Sequence, residues 1–172
     1  MAILASDIKF ILSGGATNTD PDAALGGDIS TDGGGVITTD QLNNLWDNVS
    51  GDEASAGDTE YRGIFIKNTH GSLTLTGAKV WISSNTTSSD DTVEIALADE
   101  GIANSIETIA NESTAPSGPS FSAPSSFGAG LSLGDLDAGD AHGLWIKRIV
   151  SSSASAANAN PYTLSVKGET AA

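Results

Sequence analysis

Two histidines, 22 acids and many serines are the groups from which this chain could assemble chemistry. His70 lies in Asn68-Thr69-His70-Gly71, and His142 is followed by Gly143. Two imidazoles and a carboxylate would suit a metal ion if they met in space. They are far apart in sequence, however, and neither has further ligands at metal-binding spacing. Asn and Gly tolerate the left-handed backbone of a tight turn, so Asn68–Gly71 is expected to be a hairpin connection with His70 at a tip that a neighbour can touch. Asp135, Asp137 and Asp140 in "DLDAGD" place carboxylates at near-alternate positions, as calcium loops do. The twelfth-position Glu and the central Gly spacing of an EF-hand are missing. Acid pairs also occur at Asp20/Asp22 and Asp90/Asp91, so coincidence in an acid-rich chain accounts for them, with calcium at Asp135, Asp137 and Asp140 left open. No Gly-x-Ser-x-Gly elbow surrounds any serine, and the absence of cysteine removes thiolate chemistry. The expectation is a protein that is not an enzyme, with no catalytic residues, cofactor or metal.

Charge narrows the partners. With 7 bases against 22 acids the formal net charge is −15 and the pI is near 4.1. Nucleic acid and anionic membranes are bound by neutralising phosphates with Lys and Arg, so neither is an expected partner. The N-terminus has an apolar run interrupted by Asp7 and lacks a basic region ahead of it, which does not read as a signal peptide. The chain is expected to be made in a cytoplasm.

The elements that must carry these groups are mostly strands. Ile8–Leu12, Tyr61–Asn68, Leu73–Ser83, the run from Asp91 to Ala98, His142–Val150 and Pro161–Gly168 show apolar runs or period-two alternation. Residues 13–35 are Gly, Asp, Asn and Thr with few apolar residues, and are expected to form an extended arm or loop lying on a partner. Thr38–Ser50 is the one helix-like segment, with Leu42, Leu45, Trp46 and Val49 at helical spacing and Leu45 and Trp46 as its docking residues. "SGDEASAGD" after it reads as loop. The Pro-rich segment around residues 113–130 is expected to be a surface loop anchored by Phe121 and Phe127. A single all-β domain over residues 1–172 follows: an antiparallel two-sheet β-sandwich of jelly-roll or related type, with one short helix and long loops.

All seven basic residues fall in or beside predicted strands, while the acids concentrate in loops. Strand lysines can blunt sheet edges against unwanted pairing. The alternative expectation is that Arg62, Lys67, His70, Lys79, Lys147 and Arg148 contact acidic loops of a neighbouring subunit or another protein.

Taken in order, "FILSGGATNTDPDAALGG", the run from Asn43 to Ile82 and "GLWIKRIV" resemble a family of small structural proteins of the tailed-bacteriophage virion. The middle segment, from the Asn-Asn-Leu-aromatic stretch through Gly57-Asp58-Thr59-Glu60-Tyr61-Arg62 to Asn68, is the specific part, and the similarity is weakest over residues 98–134. The resemblance implies a capsid decoration, or cement, protein, with the major capsid protein as partner. A net charge of −15 repels packaged DNA and so favours the outer capsid surface. A homo-oligomer is expected, with a trimer on local three-fold axes the first choice. Two alternatives stand beside it: a neck or tail component, and a glycan-binding adhesion module using Trp46, Trp81 or Trp145 as sugar platforms.

Overall fold

The strand-forming runs fold as the alternation requires, and every pair is antiparallel. The computed structural model describes residues 2–157 and 159–170. Its strands are β1 (Ile8–Leu12), β2 (Gly26–Gly27), β3 (Asp58–Asn68), β4 (Leu75–Ser84), β5 (Asp91–Ile102), β6 (Ile106–Thr108), β7 (Leu131–Leu136), β8 (Ala141–Val150) and β9 (Thr163–Thr170), with one helix, α1 (Gly51–Ala56). β1, β3, β8 and β5 form a four-stranded sheet in that order; β7, β4 and β9 form a three-stranded sheet, and β2 and β6 a short ribbon. The result is an antiparallel β-sandwich. Among the described residues no helix is long and apolar enough to cross a membrane.

Alternation along β3 sends Ile64 and Ile66 to one face, where they meet Val80 and Ile82 of β4 and Leu133 and Leu136 of β7. Phe65 points the other way, into a second cluster with Trp145, Ala96, Ala98, Ile106 and Ile109. The four-stranded sheet is therefore a middle layer, covered by the three-stranded sheet on one side and by the β2–β6 ribbon with its loops on the other. Burial on both faces explains why "AHGLW" at the start of β8 lacks polar alternation.

Two glycines make room for the outer cover. Gly63 lies opposite Trp145, and Gly143 opposite Phe65, in the β3–β8 register. A Cβ on Gly143 would stand 2.2 Å from Ile106 Cγ2, and one on Gly63 2.8 Å from Ile106 Cδ1. Ile106 thus sits in a notch that only two missing side chains can provide.

Three expectations need correction. First, Thr38–Ser50 is not helical: it is a series of turns in which Asp40 and Asn43 take positive φ of 60° and 57°. Leu45 and Trp46 are buried as docking residues, but Leu42 is 78% exposed. The helix forms just beyond, in the segment read as loop. Ser50 caps it by accepting from Glu53 N at 3.2 Å, while Glu53 Oε2 accepts from Ser50 N at 2.6 Å, a reciprocal capping box.

Second, β3 and β4 do not pair, so Asn68–Gly71 is not a hairpin connection. It is a link between the two sheets, and Asn68 holds it. The buried Asn68 Nδ2 donates to Leu73 O at 2.8 Å and Leu136 O at 3.0 Å, and its Oδ1 accepts from His70 N at 3.0 Å. Third, residues 13–35, expected as an extended arm or a loop lying on a partner, take the loop form and lie on the chain's own body. Ser13 Oγ donates to Gly63 O at 2.7 Å and accepts from Gly26 N at 2.9 Å; Asn18 Nδ2 donates to Ser13 O, and Ser30 Oγ to Asn18 O at 2.7 Å. The segment is a loop pinned to the chain's own β3.

Gly143→Ala should destabilise the fold by about 1–3 kcal/mol, the cost of overpacking a filled site. Asn68→Ala should cost about 2–3 kcal/mol through unsatisfied buried carbonyls. Denaturant midpoints of the two variants against the parent check both.

Candidate interaction surface

The basic residues expected at contacts divide by the face of the strand on which they lie. Arg62 and Arg148 have side chains 0% and 7% exposed, so neither is a surface contact of this chain. This corrects the sequence-based expectation. Both arginines lie on the β3 and β8 face that looks toward the three-stranded sheet, where the apolar interior gives way to charge.

At that end, Glu60 lies opposite Arg148 in the β3–β8 register and pairs with its guanidinium. Arg148 also donates to Asp47 O at 2.9 Å and Asp47 Oδ1 at 3.3 Å. Arg62 pairs with Glu112 at 2.5 Å and with Asp22 at 3.4 Å. The Trp46 ring receives both guanidiniums, each carbon 5.1 Å from the ring centroid, and its Nε1 donates to Tyr162 Oη at 3.3 Å. Planar, weakly hydrated guanidinium is the cation that stacks this way. Burial pushes the Glu60 carboxyl up to about 7, against the pull of Arg148, and pushes the Tyr162 hydroxyl up to about 12. The cluster joins the turn at Trp46, both central strands and the approach to β9. It is a structural latch.

The remaining expected contacts are dispersed. Lys147 pairs with Glu94 at 3.0 Å, its cross-strand neighbour on β5, and lies over the Phe121 ring at 5.8 Å. Lys67 borders a depression shared with Asp28, Asn104 and Ser105. His70 is half-buried in the inter-sheet link, its Nδ1 accepting from Ser72 N at 3.1 Å and Leu73 N at 3.0 Å. Lys79 stands on the outer face of the three-stranded sheet. The structure does not gather these residues into one site.

The aspartates of "DLDAGD" brace the same sheet. Asp135 Oδ1 accepts from Gly77 N at 2.7 Å and Asp137 Oδ1 from Thr74 Oγ1 at 2.5 Å. Among the described residues no three His, Cys, Asp or Glu groups converge as a metal site.

What sequence reasoning missed is the company that Lys79 keeps. Lys79 and Trp81 alternate outward on β4, and Lys167 does so on β9, directly opposite Lys79. Phe127, one of the two anchors of the Pro-rich loop, folds over them and is 39% exposed. Its ring meets Trp81 edge-on at 5.8 Å, with Lys79 Nζ 5.5 Å and Lys167 Nζ 5.2 Å from its centroid. An aromatic pair with one exposed and one half-buried ring, carrying two ammonium groups, is suited to binding, since the rings offer apolar area and each cation an anchor. The outward period-two positions of "KVWIS" and "LSVKG" were its only sequence signal. The arrival of Phe127 had none.

The raised Glu60 value means that the folded chain holds this proton more tightly than the unfolded chain, where the value is near 4.5. Its contribution to stability is full below about pH 4.5 and is lost as pH rises through about 7. Glu60→Gln should therefore gain stability relative to the parent across that window, by on the order of 1–3 kcal/mol between pH 4.5 and 7.5. Parallel urea titrations at several pH values measure the difference. No protein-family model matches the chain, and no curated protein or solved structure matches it either.

Proposed function

We propose that this chain is a structural protein of the tailed-bacteriophage virion that binds the outer surface of the capsid and stabilises it. The resemblance carried by residues 43–82 suggests the class. The observation that carries the reading is the outer face of the three-stranded sheet, where Phe127, Trp81, Lys79 and Lys167 form an exposed patch on a strongly acidic body. Such a body stays soluble by self-repulsion, and a localised aromatic and basic face gives it one direction in which to adhere. The major capsid protein is the partner in this reading, and repeated copies, as trimers on local three-fold axes, would multiply a modest single contact.

One observation keeps a second reading in play. Trp46 and Trp145 are buried and cannot serve as sugar platforms, but Trp81 is partly exposed beside Phe127. A glycan-binding adhesion role would rest on Trp81 alone.

Capsids stripped of this protein and then incubated with it should rebind many copies per particle and melt at a higher temperature. Saturation at a few copies would instead mean a neck or tail position. Binding to a glycan array that Trp81→Ala abolishes, with no rebinding to capsids, would favour adhesion.

A further inference from the structure

The seven basic residues follow two opposite rules. Arg148 faces Glu60 and Lys147 faces Glu94 across the strands, and Arg62 pairs with Glu112, as favourable sheet electrostatics requires. The other four form two like-charge cross-strand pairs, Lys9 opposite Lys67 and Lys79 opposite Lys167. Among the described residues none of these four has a carboxylate within 4.0 Å. Like charges directly opposite destabilise a sheet, and a chain with 22 acids had ample means to neutralise them. Protection of a sheet edge explains a lysine on β9, which pairs only with β4. It does not explain Lys79 on the central strand.

The two pairs differ in one respect. The ammonium groups of Lys79 and Lys167 converge on a single ring, that of Phe127, with Trp81 packed edge-on beside it. Among the described residues Lys79 Nζ finds only Gly128 O as a hydrogen-bond acceptor, at 3.5 Å. Local conflict of this kind, beside an exposed Phe127 and a half-buried Trp81, is the sort of broken local rule expected at functional sites.

We propose that Lys79, Lys167, Phe127 and Trp81 form a docking site for an acidic, extended segment of a protein partner. Carboxylates would seat between the two ammonium groups, and the apolar parts of the segment would lie on the two rings. Charge complementarity argues for this occupant. Nucleic acid presents a continuous row of phosphates, which two lysines on a body of net charge −15 cannot neutralise. An acidic side chain between apolar neighbours needs only the local pair. The identity of the partner as a capsid protein rests on the function proposed above; the site does not.

The test uses the full chain and two double variants that change the net charge equally: Lys79→Gln with Lys167→Gln, and Lys9→Gln with Lys67→Gln. The probe is a short peptide of alternating glutamate and phenylalanine, titrated by calorimetry at low and at physiological salt. The parent should bind it with an affinity that falls with salt. The Lys79/Lys167 variant should bind about ten-fold more weakly or worse, and the Lys9/Lys67 variant like the parent. The Lys79/Lys167 variant relieves a repulsion but also gives up two cation–π contacts with Phe127, so its circular dichroism spectrum, matching the parent's, serves to show that it is folded. Absence of peptide binding or equal weakening in both variants would each overturn the site. So would tighter binding of a sulfated oligosaccharide than of the peptide. Capsid rebinding separates the two proposals: loss of peptide binding with rebinding unchanged in the Lys79/Lys167 variant keeps the site but removes it as the capsid contact, whereas peptide binding by the parent without rebinding removes the capsid reading and leaves the site.

Discussion

The antiparallel pairing of β3 with β8, in unbroken register from Asp58–Val150 to Lys67–Ala141, is the constraint on which the molecule rests. Once that register is set, each side chain along both strands is assigned to a face. Ile64, Ile66, Leu144 and Ile146 must then find the three-stranded sheet, while Phe65 and Trp145 must find the β2–β6 ribbon. A slip by one residue would exchange the two sets and bury Lys67 and Lys147 in the sandwich. The same register places Gly63 and Gly143 beneath Ile106, so the outer cover docks only on the correct pairing.

The charged latch at the end of the interior obeys the same register. Glu60 meets Arg148 because they are opposite one another, and Trp46 then packs against both guanidiniums. Buried ion pairs contribute little net stability, because desolvation offsets most of their attraction. Their value here is that any other arrangement of these strands would strand a charge in an apolar interior.

The sequence made the strands legible wherever one face was to be buried, since period-two alternation is a local signal. It misled at Thr38–Ser50, where the spacing of Leu45 and Trp46 reported burial correctly but not helix. The local signal for the helix is the Ser50-x-x-Glu53 box, which lies just beyond that spacing. Arg62 and Arg148 could not be separated from Lys79 by sequence, because the face that a basic residue occupies depends on which distant strand pairs with its own. The Lys79–Lys167 opposition is a matter of register between strands far apart in the chain. Phe127 was legible as an anchor, but not the place where it lands.

The middle layer also sets an order of events. β1 and β3 can pair early, but β8 must insert between β3 and β5, and it is encoded roughly 80 positions after the strand it pairs with. During synthesis the inner edge of β3 therefore emerges from the ribosome well before its partner exists. Until Val150 has cleared the exit tunnel, the charges of Glu60 and Arg62 on that strand work against its pairing with another nascent chain, as charged side chains do on an unpaired edge.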